Sequence, residues 1–532
     1  MTFDYIIVGA GSAGCVLAAR LSEDPAIRVL LLEAGGKDKS PLIRVPKGFG
    51  KLLGNSNYTW SFPTRPFGPT SRVEAWARGK TLGGSSAING LVYNRGQRSD
   101  WDDLARVGGT TWSWNEIVPA YKAIENNELG ASTTRGANGP LTITRVEDAD
   151  PLCEVMIDSG KTVGMQRAED INETDDERIG YTMANIANGR RVSAAHAFLN
   201  PARRRPNLTI RTEAQAIKIL FENDRAIGVR CRQGNLLVDY RASKDVILSL
   251  GSMQTPRLLQ LSGIGPAEVL RAAGVDVRVD QASVGGRMRE HRCFVLNYRL
   301  KQDLGLNKTL SSSLGQGVAA VKYLATHRGP LASPSYDVIG FLKSGEATDR
   351  VDGQVLLAPF SVASMRPGQN PELEREPGLQ AIGFVSRPTS EGHCHITSAN
   401  PDAPLDIETN YYGSAEDRST GLAVFAKMRH MFENGPIADY IAHETVPGSD
   451  VTGDQDIIDN ALAHGYCGYH AIGTSGMGLE DTAAVDSSLR VRGVSGLRVM
   501  DCSVLPVMVA GNLNAPMMAM AWHAADVIRD GV

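Results

Sequence analysis

FDYIIVGAGSAGCVLAARLSEDPAIRVLLLEAG, residues 3–35, decides how the rest of this chain is read. A short apolar strand (Tyr5 to Val8) runs into Gly9-x-Gly11-x-x-Gly14, which opens an apolar helix; a second strand then ends on Glu33. Each part suits a dinucleotide. Gly9 permits the tight turn, Gly11 lets the backbone approach a pyrophosphate, and Gly14 lets the helix pack close to the strand. The helix start, with Ser12 in it, offers unpaired N–H groups and a positive dipole end to phosphate. Glu33, followed by Ala34, stands about 20 residues on, where a carboxylate can accept from both hydroxyls of an adenosine ribose. The pattern implies a dinucleotide and leaves NAD and FAD equally open.

Outward from this unit, composition narrows the class. A chain of 532 residues is too long for one ordinary core, so more than one domain is expected. With 42% hydrophobic and 21% charged residues it reads as a globular protein. A net charge of −4 and no long basic run argue against nucleic acid as a partner. Seven scattered cysteines with no CxxC pair argue against a disulfide framework and against a structural zinc site, so no metal is expected. The first apolar segment is the first strand of the nucleotide unit rather than a leader, and no apolar run is long enough to span a bilayer. A cytoplasmic protein follows, with peripheral contact at the inner membrane left open.

Residues 36–75 read as a long excursion over the nucleotide. The block RGKTLGGSSAINGLVYNRG, residues 78–96, exposes backbone N–H groups beside a flat or anionic ligand, and a helix start capped by Ser85 fits the same residues. Residues 207–251 read as short antiparallel strands returning to one buried strand at Val246 to Leu250. Gly251 ends it, and a helix with Pro256 in its first turn follows. Apolar runs in 300–385, such as GQVLLAPF and LQAIGFVS, predict a sheet lining a cavity.

Four stretches together resemble the glucose–methanol–choline (GMC) flavin oxidoreductases: residues 3–35, residues 78–96, GSMQTPRLLQLSGIGP (251–266), and the pair GYHAIGTSGMG (468–478) and LRVMDCSVLPVMVAGNLNAP (497–516). The resemblance implies an α/β chain, α+β overall. A Rossmann-like FAD domain (1–155, 195–300 and 460–532) would interleave with a substrate domain (156–194 and 301–459) built on an antiparallel sheet flanked by helices. It implies FAD held by Gly9, Gly11, Ser12, Gly14, Glu33 and Ala34 at the adenosine end. Leu82, Gly83, Ser85, Asn89, Gly90, Leu91 and Val92 would lie along the flavin ring, Gly251 near the adenine half, and Asp501 and Cys502 at the pyrophosphate and ribityl chain. Some relatives attach the flavin through a His in the second block; that position is Ile88 here, so FAD is expected to be non-covalent.

The reaction the resemblance implies is oxidation of a primary alcohol to an aldehyde, electrons passing to a quinone, a dye or O2. Oxygen use would make it an oxidase, and a hydroxynitrile-type lyase that keeps FAD as structure is a further alternative. Such oxidation needs a base near neutral pH above the ring, which suits His. His470 matches the family's catalytic histidine and Asn512 its companion, which can hold the substrate oxygen without competing for the proton. His464 reads as a surface or helix-terminal residue, His291 as structural near the cofactor, and His393 and His395 as two imidazoles on one strand face lacking further metal ligands. Ala471 and Ser475 replace the family's usual Pro and Cys, which leaves substrate identity open.

Overall fold

The computed structural model describes residues 2–364 and 372–531. Two sheets organise them. In the first, Leu208–Arg211, Val29–Leu32, Thr2–Val8 and Leu236–Leu248 run parallel in that order, and Leu497–Val499 adds in parallel to the last of these. Val29–Leu32 is buried at every position and Ile6 to Val8 are almost inaccessible, as strands covered on both faces must be. Helix Ser12–Leu21 covers one face and packs against the C-terminal helix Asn514–Arg529.

Leu236–Leu248 is the hinge of this sheet. Its N-terminal half pairs antiparallel with Arg225–Gln233, which pairs antiparallel with Gln215–Glu222; its C-terminal half turns into the parallel core beside Thr2–Val8. The antiparallel expectation for 207–251 therefore holds for three strands and fails for Leu208–Arg211, which lies parallel to Val29–Leu32. Alternation cannot distinguish the two senses, because pairing direction is set by the crossover and not by the strand's own residues.

The second sheet is mostly antiparallel. Its order is Ile441–Val446, Arg292–Leu300, Gly378–Val385, Gly353–Ala358, Val338–Leu342, Arg178–Tyr181 and Gln166–Arg167, with only the last pair parallel. Every residue of Gly353–Ala358 and Gly378–Val385 is buried, which accounts for their near-continuous apolar sequence. Helix Ala415–Asn434 lies across this sheet, and Gly421 admits the ring of Phe294 at a distance that a Cβ would reduce to 3.0 Å. Because Arg292–Leu300 sits in this second sheet, a division drawn by sheets falls before residue 292 and not at 300. All seven cysteines are unpaired thiols. Among the described residues no helix is long and apolar enough to cross a membrane.

Candidate active site

A cavity of about 1140 Å³ runs from the first βαβ turn to the second sheet. That exceeds the range usual for a single small ligand, and its length suits an extended dinucleotide with room for a substrate. At one end lie Gly9, Gly11, Ser12, Glu33 and Ala34. Gly9 takes φ +103°, and a Cβ there would stand 2.4 Å from the Ser249 carbonyl oxygen. A Cβ on Gly14 would stand 1.9 Å from the Gly9 carbonyl oxygen, so Gly14 holds the helix against the turn and does not itself line the cavity. No side chain caps helix Ser12–Leu21, and Ser12 and Ala13 of its first turn line the cavity. Glu33 accepts from the Ala10 N–H at 3.0 Å and the Gly35 N–H at 2.8 Å, one per oxygen, leaving each oxygen a further lone pair. Burial pushes its carboxyl up to about 7. Ser249 Oγ, also on the wall, is buried without a partner among the described residues.

The second block crosses the middle. Ser85, Ile88, Asn89, Gly90, Leu91 and Val92 line the cavity; Leu82 and Gly83 do not. Those two expectations are corrected by the backbone, where Gly83 donates to the Ala10 carbonyl at 2.8 Å and turns inward. The close approach belongs to Gly84, whose Cβ would lie 2.6 Å from Gly11 Cα. Nor does Ser85 cap a helix: the turn is a short 3-10 segment, Gly84–Ala87, and Ser85 Oγ accepts from the Gly79 N–H at 3.1 Å. Gly251, Asp501 and Cys502 also line the cavity. Gly251 and Asp501 were expected at different parts of the cofactor, yet the Asp501 carboxylate accepts from the Gly251 N–H at 2.9 Å and from Thr255 Oγ1 at 2.6 Å. They form one unit at the start of helix Gly251–Leu261.

That helix positions the reacting end. Pro256 lies inside it rather than in its first turn and has no N–H, so the Ser252 carbonyl lacks its helical donor. Thr474 Oγ1 takes the place at 2.8 Å, and Ser252 Oγ donates to the Ala471 carbonyl. The loop carrying His470 is thereby pinned on both sides of Ile472. A single buried oxygen, Glu290 Oε1, accepts from the N–H groups of both His291 (2.8 Å) and His470 (2.7 Å). Burial raises the Glu290 carboxyl to about 7, against the Arg78 cation 3.4 Å away.

The two imidazoles meet Nδ1 to Nδ1 at 2.9 Å. His291 is fully buried, stacked on Phe384, and its Nε2 lies 3.0 Å from the Ser386 carbonyl oxygen. A carbonyl only accepts, so His291 Nε2 carries the proton. Burial holds the His291 imidazole down to about 4, hence neutral, and its Nδ1 must accept. His470 therefore carries its proton on Nδ1, and its Nε2 keeps a lone pair. That Nε2 stands 3.2 Å from Asn512 Nδ2, and Asn512 Oδ1 accepts from Gln354 Nε2 at 3.0 Å. Burial first, then His291 and Arg78, hold His470 well below the ordinary imidazole value. Its ring is still partly accessible from the cavity, which His470 and Asn512 both line.

His464 is exposed at the end of helix Asp454–His464. His393 and His395 stack at 4.8 Å on one face, and His393 lies 3.3 Å from both Asp406 and Glu408. Among the described residues no group of three or more His, Cys, Asp or Glu could hold a metal. Sequence reasoning passed over Glu290, Gln354 and Ser386. Gln354 had a signal, being a polar residue inside a buried apolar strand; Ser386 acts through its backbone and had none.

Two family models, both described as GMC oxidoreductase, match residues 3–293 and 388–521. The chain is 37% identical to an alcohol dehydrogenase [acceptor] of Pseudomonas putida, over 99% of this chain and 95% of the relative. It is 35% identical to an oxygen-dependent choline dehydrogenase of Photobacterium profundum, over 99% and 93%. Among solved structures, pyridoxine 4-oxidase from Mesorbium loti superposes with a TM-score of 0.88 at 28% identity, covering 99% of each chain. An Aspergillus oryzae formate oxidase variant gives 0.91 at 25%, covering 100% of this chain and 98% of that one.

Proposed function

The chain belongs to the GMC oxidoreductase family, FAD-dependent enzymes that oxidise alcohol-type substrates, and on that premise we propose that it converts a neutral primary alcohol to the aldehyde with His470 as base and Asn512 as anchor. The first sheet would hold FAD without a covalent bond, Ile88 standing where attachment would need a histidine; the second would line the substrate chamber. The uncapped helix N-terminus, the open lone pairs of Glu33 and the unpartnered Ser249 Oγ all suit an extended dinucleotide.

The observation that carries the reading is the lone pair on His470 Nε2, aimed at Asn512. An alcohol oxygen seated over the pair takes the place of that direct contact, donating its O–H to Nε2 and accepting from Asn512 Nδ2. When the proton moves, His470 becomes cationic, and its Nδ1–H bond to His291 strengthens as a charge-assisted one. Asn512, held by Gln354, stays on the developing alkoxide and cannot take the proton itself. FAD, when bound, supplies the acceptor for the hydride. Among the described residues the acids on the cavity wall are Glu33, Asp501 and Glu372; the first two accept from backbone N–H groups, Glu372 shares the wall with Arg375, and Glu290 lies off the wall, accepting from the His470 N–H and facing Arg78. Tyr466, Tyr336 and Gln380, hydrogen-bonded in a row on the same wall, suit a neutral hydroxylated compound. We assign the electrons to a quinone or similar acceptor. The test is anaerobic mixing with a panel of alcohols, followed by the same panel in air with peroxide detection. Bleaching of the flavin by neutral alcohols supports the reading; no bleaching by any alcohol rejects it, and fast peroxide release would transfer the acceptor to O2.

A further inference from the structure

Helix Ser313–Thr326 is attached to the protein by a narrow stripe, with only Ala319 and Tyr323 buried. Its outer face is apolar. Leu314 is 81% exposed, Val318 62%, Val321 68% and Leu324 75%, four of the ten exposed large apolar side chains among the described residues. Their spacing of three and four places them on one side of the helix. Single exposed apolar residues are ordinary, but a contiguous helical row marks a surface that is covered in use. The helix also touches the cavity described above, whose wall includes Gln316, Ala320 and Leu324.

Charge tells what covers it. Between Asp303 and Asp337 the chain holds no acidic residue, although the whole protein carries −4. Lys308 is paired with Asp303 at 2.6 Å, whereas Lys322, Arg328 and the neighbouring Arg190 have no carboxylate partner among the described residues. A second copy packed on this face by two-fold symmetry would set cation against cation, with no acid in the segment between Asp303 and Asp337 to answer them. An apolar row flanked by unpaired cations matches the interface of an anionic phospholipid bilayer, apolar side chains among the acyl chains and cations at the headgroups.

We propose that this helix seats the protein on anionic phospholipid membranes, turning the cavity mouth toward the bilayer so that lipid-soluble compounds enter without crossing water. Vesicle binding is measured without turnover, so it holds or fails independently of the redox reaction. The holoenzyme is floated with vesicles of phosphatidylcholine alone or mixed equally with phosphatidylglycerol. The expected result is flotation with the mixed vesicles, weakened by salt and much lower with phosphatidylcholine alone. The triple variant L314Q/V318Q/V321Q should lower the bound-to-free ratio at least about tenfold while keeping its flavin, its melting temperature and its activity with a water-soluble alcohol and a soluble dye. K322E/R328E should lose the preference for phosphatidylglycerol with the apolar row intact. Wild type that stays unbound with both vesicle types, or a triple variant that floats like wild type, overturns the proposal. So does light scattering that shows a wild-type dimer split by the triple variant, since the face would then belong to a second copy.

Discussion

The two ends of the cavity are built in opposite ways. The nucleotide end is local: Gly9, Gly11, Gly14 and Glu33 come from one βαβ unit, and the bonds that the Glu33 carboxylate accepts span at most 23 residues, from the Ala10 N–H. The reacting end is assembled from remote pieces. His470 meets His291 across 179 residues and Asn512 across 42, and the Gln354 that holds Asn512 is 158 away. Steric close approach governs the first region, proton placement the second. Damage should therefore look different at each end, all-or-none in one and graded in the other.

The largest effect is expected at the local end. Gly14→Val pushes a branched side chain into the Gly9 carbonyl, which even a Cβ would meet at 1.9 Å, in a backbone that cannot yield without breaking the turn. The purified protein should lack bound flavin, seen as loss of the visible flavin spectrum. His470→Ala should do the reverse, keeping the flavin while slowing anaerobic flavin reduction by about 10³-fold, within the range for a general base. Retained flavin with an unchanged rate would remove His470 from the chemistry.

His291→Ala comes next. It leaves His470 Nδ1 without its acceptor and frees the ring to hold its proton on Nε2, so reduction should slow by about 10- to 100-fold. Asn at 291 can accept from His470 through Oδ1 and donate to Ser386 through Nδ2, and partial recovery in His291→Asn would separate proton placement from simple packing. A smaller effect is expected in the pH profile. Because burial holds His470 well below the ordinary imidazole value of 6.5, the neutral base persists as pH falls through 6.5. Reduction should stay level there and decline only at lower pH. Arg78 contributes to that depression, so Arg78→Met should move the decline upward, by less than about one pH unit.

The same contrast sets how much was legible in the sequence. The parallel core, the glycine turn and Glu33 could be read directly, since strand period, turn chemistry and spacing all lie within one window. Leu208–Arg211 was readable as a strand but not as a parallel one. In the second block the motif pointed to Gly83, whereas the close contact is made by its neighbour Gly84, a distinction set by which of the two abuts Gly11 and not by residue type. His470 and Asn512 were reached through resemblance. Their partners were not, because Glu290 and Ser386 act on backbone N–H groups and through a backbone carbonyl, and such roles leave no mark on composition or periodicity.

His470 presents an unprotonated Nε2 because His291 holds the proton on Nδ1. Long-range ¹⁵N–¹H correlation spectra of the ¹⁵N-histidine-labelled holoenzyme at neutral pH read this directly, with His470 assigned by its absence in His470→Ala. The prediction is a neutral His470 protonated at Nδ1, shifting toward a mixture of tautomers in His291→Ala. A His470 protonated at Nε2 in the wild-type protein would contradict it.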